Sequence, residues 1–110
     1  RIEAPATEQG LKNIDLALAE KEVKAGTYGQ CARFCIDRGV RTKEALTWAE
    51  KSVSMDPKFW TVHTLALAYA ANGEKDKAIE AAKRSREMAK AENAEAYVKL
   101  NDEKLKEWGQ

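Results

Sequence analysis

The sequence feature that most limits the fold of this chain is an internal repeat of about 34 residues. The spacing Tyr28-x2-Cys31-Ala32-x2-Cys35 recurs 34 residues later as Val62-x2-Leu65-Ala66-x2-Tyr69. The spacing Ala45-Leu46-x2-Ala49-x2-Ser52-x2-Met55 recurs 33 residues later as Ala78-Ile79-x2-Ala82-x2-Ser85-x2-Met88. Each set follows one face of a helix, so the repeating unit is predicted to be a pair of helices. The difference of one residue predicts one extra residue in the first turn, between Cys35 and Ala45.

The composition also favours helices. Alanine accounts for 19 of the 110 residues, whereas the chain holds six glycines and two prolines. Alanine is the strongest helix former, and a β-sandwich or barrel would need many more turn residues. Apolar spacing predicts six helices, at about residues 8–24, 28–38, 43–55, 57–71, 75–91 and 94–108. Residues 1–7 lack this periodicity and are expected to form a linker or disordered arm.

Turn residues mark the predicted helix ends. Gly26 is expected to end the first helix. Asp56 is expected to cap the fourth helix, with Pro57 at the first helical position, where its missing N–H removes no hydrogen bond. The Asn-Gly pair that ends at Gly73 is expected to form a left-handed cap between two helices. Such short connections make neighbouring helices antiparallel.

The repeat resembles the tetratricopeptide repeat family, whose pattern is W-x2-L-G-x2-Y, then A-x3-F, then P over about 34 residues. Ala32 and Ala66 stand where this pattern has Gly. Ala45 and Ala78 stand at its Ala, and Pro57 lies twelve residues after Ala45 as the pattern requires. Other positions depart from the pattern: Tyr28 and Val62 at the first Trp, Cys31 at Leu, Cys35 at Tyr, Ala49 and Ala82 at Phe, and Lys90 at the second Pro.

This resemblance implies an all-α fold, an antiparallel helix-hairpin solenoid within one domain at residues 8–110. Two full repeats are expected at about 26–58 and 59–92. A half repeat would precede them, and a polar capping helix at about 94–108 would close the end of the solenoid.

Three runs carry a second resemblance: Tyr28–Cys35 (YGQCARFC), Glu44–Trp48 (EALTW) and Ala96–Lys104 (AYVKLNDEK). They resemble the C-terminal helical tail of a family of uncharacterised bacterial proteins, which generally carry an exported, β-rich domain of unknown function before this tail. The resemblance implies that the chain is the C-terminal part of a larger exported protein and that it is periplasmic or exported.

The charge balance argues against nucleic acid as a partner. The 19 Lys and Arg residues against 18 Asp and Glu residues leave a formal charge of +1. The basic set Lys83, Arg84, Arg86 and Lys90 lies within residues 74–107, which hold nine basic and nine acidic residues, so we expect a solvated face. The longest stretch without a charged residue, 59–73, is too short to cross a bilayer, so we expect no membrane insertion.

The residues that carry chemistry are few. His63 is the only histidine, and its neighbours on a helix face include no metal ligand, so it is interpreted as a packed or groove-lining residue. Cys31 and Cys35 lack the Cys-x-x-Cys spacing of a redox pair and are interpreted as inert core residues. We therefore expect no enzyme activity, no metal and no cofactor. An enzyme that pairs His63 with a cysteine is the weakest hypothesis.

In the tetratricopeptide family, the first helix of each hairpin lines a concave surface that binds a peptide or a helix. Transferred to this chain, that groove would be lined by Gly29, Arg33, Trp60, His63, Leu67, Val98 and Asp102. The Lys and Asn that hold a C-terminal carboxylate in chaperone-binding members are absent at the Gly29 and Arg33 positions. The leading hypothesis is a non-catalytic interaction or docking module for a peptide, helix or neighbouring domain. The alternative is a structural appendage that stabilises or dimerises a preceding domain of the same polypeptide.

Overall fold

The computed structural model describes residues 3–19 and 22–109 of the chain. Over these residues it contains six α-helices and no strand: α1 (Glu3–Leu18), α2 (Ala25–Arg38), α3 (Thr42–Met55), α4 (Phe59–Ala71), α5 (Lys75–Ala91) and α6 (Glu95–Glu107). The all-helical class and the number of helices are therefore confirmed. The bounds of α5 agree with those expected from the sequence.

The predicted ends of the first helices need correction. Helix α1 begins at Glu3, so most of the expected arm at residues 1–7 is helical, while residues 1 and 2 lie outside the described residues. Pro5 is tolerated because the first four N–H groups of a helix have no partner within the helix. Helix α1 also ends at Leu18 and α2 begins at Ala25, so Gly26 lies inside α2 and does not end the first helix.

The start of α4 also differs from the prediction. Asp56 and Pro57 precede the helix, and Lys58 occupies the N-cap position. The hydroxyl of Thr61 accepts a hydrogen bond from the Lys58 N–H at 2.9 Å and donates one to the Asp56 carbonyl at 2.9 Å. A threonine inside the first turn therefore satisfies the helix start that was expected to depend on Asp56.

Both hairpin turns use a glycine in the left-handed region. Gly39 ends α2 with φ of 68°, and Gly73 follows α4 with φ of 78°. In each turn the next residue donates its N–H to a carbonyl in the last turn of the helix, at 3.0 and 2.9 Å. This is the Schellman geometry, which satisfies carbonyls that the helix end leaves free. The left-handed conformation expected of Gly73 is confirmed.

The extra residue of the first turn is Arg41. In the second hairpin, Glu74 both completes the Schellman turn and accepts the first bond of α5, from the Ala78 N–H at 3.0 Å. In the first hairpin these two tasks fall to Val40 and Arg41, and Arg41 accepts the bond from Ala45 at 2.8 Å. Arg41 has φ of 49°, which lets the chain add one residue while α2 and α3 keep the same phase.

The helices pack so that α2, α4 and α6 lie side by side. Each helix contacts its neighbour in sequence, and α2–α4 and α4–α6 are also in contact. Among the described residues, α1 contacts no helix beyond α2. Helix α4 therefore touches four helices, which explains why nearly all of its side chains are buried or half-buried. Alanines at the helix crossings are fully buried and allow the close approach of the backbones: Ala32, Ala45, Ala49, Ala66, Ala78 and Ala82.

The repeat is also visible in a buried hydrogen bond. Ser52 on α3 donates its hydroxyl to the carbonyl of Ala25 at 2.9 Å. Ser85 on α5, which is 33 residues later, donates to the carbonyl of Phe59 at 2.7 Å. In both pairs the acceptor is the first residue of the preceding helix, and both serines are fully buried. The same bond therefore joins the two helices of each hairpin.

Helix α1 is held by fewer contacts than the others. The ring of Phe34 lies directly against Gly10, where an added Cβ would overlap it. From α1, Ile14 belongs to the buried core, and Leu11 and Leu18 pack against it. Arg41 forms an ion pair with Asp15 at 2.8 Å, so the extra residue of the first turn also holds α1.

Candidate binding site

A cavity of about 460 Å³ opens between α2 and α4. We refer to it as the α2–α4 cavity. It is lined by Gly26, Gly29, Gln30, Arg33, Phe34, Ser52, Trp60, Thr61, Thr64 and Tyr97. Its volume falls within the range of about 300–1,000 Å³ that is common for ligand-binding pockets. The lining comes from α2, α3, α4 and α6, so only the packed fold brings it together.

A glycine explains why the cavity is open. Gly29 lies next to Ser52: a Cβ added to Gly29 would be 3.4 Å from the serine hydroxyl oxygen. The equivalent position in the second repeat is His63, 34 residues later. There the histidine ring is buried and reaches Asn101, which in turn contacts Ser85, the equivalent of Ser52. The space that His63 fills between α4 and α6 therefore remains empty between α2 and α4.

The hydroxyl groups in the lining are already used within the protein. The hydroxyls of Ser52, Thr61 and Thr64 donate to the carbonyls of Ala25, Asp56 and Trp60, at 2.9, 2.9 and 3.1 Å. By contrast, the side chains of Gln30 and Arg33 are exposed, and the described partner of Arg33 is Asp37, 3.6 Å from its Nε and beyond hydrogen-bond distance. These two side chains lie one turn apart on α2 and supply the free donors of the α2–α4 cavity.

Aromatic side chains form much of the rest of the lining. Trp60 is 44% exposed. Its ring packs edge-to-face with that of Phe59, with the ring centroids 4.8 Å apart, and the centroids of Phe59 and Tyr97 of α6 are 5.0 Å apart. Edge-to-face contacts of this kind restrict ring orientation. Trp60 and Tyr97 are therefore held in place at the cavity, with Phe34 contributing from α2.

His63 belongs to a buried hydrogen-bond network behind this face. Asn101, which is fully buried, donates through Nδ2 to Ser85 Oγ at 2.9 Å and to the Tyr97 carbonyl at 2.8 Å. Its Oδ1 is then the acceptor, so His63 carries its proton on Nδ1 and donates it at 2.7 Å. Burial lowers the pKa of His63, and the positive charges of Arg33 and Lys104 lower it further, against the opposing effect of the Asn101 hydrogen bond. His63 is therefore a neutral, packed residue.

Three of the residues expected in the groove line the α2–α4 cavity, and four do not. Gly29, Arg33 and Trp60 lie together in its lining. His63 is only 4% exposed, and Leu67 is half-buried away from the cavity. Val98 lines a different, smaller cavity at the turn between α5 and α6. Asp102 forms an ion pair with Arg86 at 2.9 Å.

Several lining residues were missed by the sequence analysis. Phe34 and Gln30 flank the core positions of α2, and Gly26 was interpreted as the end of the first helix. Tyr97 on α6 lies against Phe59, and its position at the cavity was not expected. The available signal was the spacing of Gly26, Gln30 and Arg33, which places them on one face of α2.

Other candidate chemical groups lie apart from this site. Cys31 and Cys35 are buried free cysteines, and burial raises the pKa of both thiols. The part of the chain that the structure describes holds no group of three or more His, Cys, Asp or Glu arranged to bind a metal ion. No helix within that part is long and apolar enough to cross a membrane. A larger cavity of about 620 Å³ at the start of α2 is lined by charges of both signs, from Glu22, Lys24 and Lys51.

A comparison of the chain with protein-family models, curated proteins and solved structures finds no match.

Proposed function

We propose that this protein is a non-catalytic interaction module that binds a segment of another protein at the α2–α4 cavity. The observation that carries the proposal is the exposed aromatic side chain of Trp60 at an open cavity with a restrained aromatic lining. Aromatic residues at the centre of a concave surface are the commonest energetic anchors of protein interfaces.

The proposal includes a tetratricopeptide-like arrangement of the helices. Two hairpins, α2–α3 and α4–α5, share the buried serine bond and the left-handed glycine turn. The first helices of these hairpins lie beside each other, and α6 continues their row. In this interpretation α1 is the second half of an earlier repeat and α6 is the capping helix, with solvent-exposed charges at Lys99, Asp102, Glu103 and Lys106.

The chemistry of the described residues supports a non-catalytic role. Nucleophilic catalysis needs an activated nucleophile within hydrogen-bond reach of a base. The Nδ1 of His63 is bonded to Asn101, and the raised pKa of Cys31 and Cys35 keeps both thiols protonated near neutral pH. The proposal therefore assigns binding, and not catalysis, to the α2–α4 cavity.

Selection of peptides tests this function. The full chain is immobilised and used to select binders from a phage library of short random peptides, and the binders are synthesised with a fluorescent label. In fluorescence polarisation, Trp60→Ala is expected to weaken binding about tenfold or more, as expected for an interface anchor. Leu100→Ala is the matched control, because Leu100 is 42% exposed but does not line the cavity.

Both variants are first compared with the natural chain by thermal unfolding, to establish that each is fully folded at the temperature of the binding assay. If no peptide is selected, or if Trp60→Ala binds as tightly as the natural chain, the proposed function is wrong.

The second candidate function is that of an appendage to a preceding domain, and one observation favours it. Leu16 on α1 is 70% exposed, and α1 contacts no helix other than α2. An apolar residue on a helix with an open side is suited to contact a neighbouring domain or a second copy. Sedimentation equilibrium tests the dimer form: the chain is expected to self-associate, and Leu16→Ser is expected to make it monomeric. A monomeric natural chain would contradict dimerisation through α1.

A further inference from the structure

We infer that the occupant of the α2–α4 cavity is an extended, acidic peptide segment that carries one large apolar side chain. This inference rests on the proposed function and specifies its partner. It is supported by the exposed backbone of α2, the free donors, the charges around the cavity and its aromatic lining.

The glycines of α2 point to a ligand backbone. Gly29 lies in the interior of α2, where glycine destabilises a helix by about 1 kcal/mol relative to alanine. Packing does not require it, because an added Cβ would meet only the Ser52 hydroxyl, at 3.4 Å. At Gly26 an added Cβ would meet nothing within 4 Å. Both glycines line the cavity, so they bare the helix surface where a second chain can approach closely.

The free donors indicate what the ligand presents. The amide of Gln30 is exposed at the cavity and can donate to a peptide carbonyl. The side chain of Arg33 is 44% exposed, and its Nε lies 3.6 Å from Asp37, beyond hydrogen-bond distance. Its terminal nitrogens therefore remain available for a carboxylate, which Arg binds with two parallel hydrogen bonds.

The charges at this face favour an acidic partner. No Asp or Glu is among the lining residues, and Arg33 is the one charged residue that lines the cavity. Lys104, the other cation near His63, forms an ion pair with Glu107 at 3.4 Å, so it adds little to the charge of this face. Asp37 offsets part of the charge of Arg33 from the side of α2. Within the lining itself, the cation of Arg33 is suited to a carboxylate of the ligand and would repel a basic side chain.

The aromatic lining accounts for the apolar side chain. Phe34, Trp60 and Tyr97 come from three helices and contact the same space. A large apolar side chain placed among them removes the exposed indole of Trp60 from water, which is the main favourable contribution available here. A helical ligand satisfies its own backbone hydrogen bonds, so its backbone would leave the donors of Gln30 without a partner. An extended segment uses all of these features.

The experiment analyses the peptides that the full chain selects from the random phage library, and then measures the synthetic peptides by fluorescence polarisation. The selected sequences are expected to share one large apolar residue beside Asp or Glu. Arg33→Glu is expected to weaken their binding about tenfold or more. Lys83→Glu makes the same charge change on the exposed side of α5 and is expected to change binding less than twofold.

A double variant separates binding from folding. Gly26→Ala with Gly29→Ala is expected to raise Tm, because alanine favours the helix and both Cβ atoms have room. The same variant is expected to weaken peptide binding about tenfold, because the methyl groups occupy the path of the ligand backbone. A stability gain with a loss of affinity cannot result from misfolding.

The outcomes distinguish this inference from the proposed function. Peptides that bind the cavity and depend on Trp60, but show no acidic preference and no effect of Arg33→Glu, overturn the inference and leave the proposed function intact. Peptides whose binding is unchanged by the double glycine variant overturn the extended-backbone contact. An absence of selected peptides, or binders insensitive to Trp60→Ala, overturns both.

Discussion

The buried network around Asn101 gives the sharpest stability prediction. Asn101 is fully buried and makes three side-chain hydrogen bonds, with His63, Ser85 and Tyr97. Removing the side chain with Asn101→Ala loses all three, and each buried hydrogen bond contributes about 1 kcal/mol net. The His63 Nδ1–H would also remain buried without a partner. We expect a loss of about 3 kcal/mol in the free energy of unfolding, and a fall in Tm of roughly 12 °C or more.

The assay is urea unfolding followed by circular dichroism, with the free energy taken from linear extrapolation. Asn13→Ala is the control, since Asn13 is exposed on α1, and it is expected to change stability by no more than about 0.5 kcal/mol. The double variant His63→Ala with Asn101→Ala is expected to lose about 1 kcal/mol less than the sum of the single variants, because no orphaned donor remains. If Asn101→Ala is as stable as the control, the hydrogen-bond assignment is wrong.

Three further predictions concern pH and the glycines. The pKa of His63 is lowered below its unfolded value of about 6.5, so the histidine should not affect the pH dependence of stability above that pH and should lower the free energy of unfolding as the pH falls, by at most about 1.4 kcal/mol per pH unit. Urea unfolding between about pH 7.5 and 5.5 should show this dependence in the natural chain and a weaker one in His63→Gln. Equal pH dependence in the two proteins would contradict the prediction. Gly10→Ala is expected to separate α1 from Phe34 and increase amide hydrogen exchange in α1, whereas unchanged exchange would show that α1 packs differently. Gly73→Ala is expected to lower the free energy of unfolding by about 1 kcal/mol, because φ is 78° at this position. Thermal unfolding should therefore show a lower Tm, and an unchanged Tm would mean that the turn is not left-handed.

The fold could be predicted in outline because its signals are local. Residues three and four apart share a helix face, so the spacing around Cys31 and Ala78 already defined which sides turn inward. The errors fall at the helix ends. Gly26 was expected to end a helix, but it lies in the first turn of α2 and lines the α2–α4 cavity. The residues next to it in the sequence give no sign of that cavity. Asp56 was expected to cap α4, but the Thr61 hydroxyl performs that task from within the helix.

The candidate site could be predicted only in part, because its members come from several helices. Gly29, Arg33 and Trp60 were expected at a groove from the repeat positions, and they do lie together. His63 was expected at the same groove, but Asn101, which lies on another helix, holds it in a buried network. A repeat position indicates the direction of a side chain, but the neighbouring helix determines whether that side chain stays exposed.

By itself, the sequence determined the number of helices, their order, their inward faces and the extra residue that proves to be Arg41. These features depend on interactions within a few residues of the chain, and periodicity records such interactions. Only the tertiary structure decided that the space over Gly29 stays open while the equivalent space is filled by His63. An open cavity depends on the sizes of side chains that are distant in sequence, here extending to Tyr97, and they meet only when the hairpins pack.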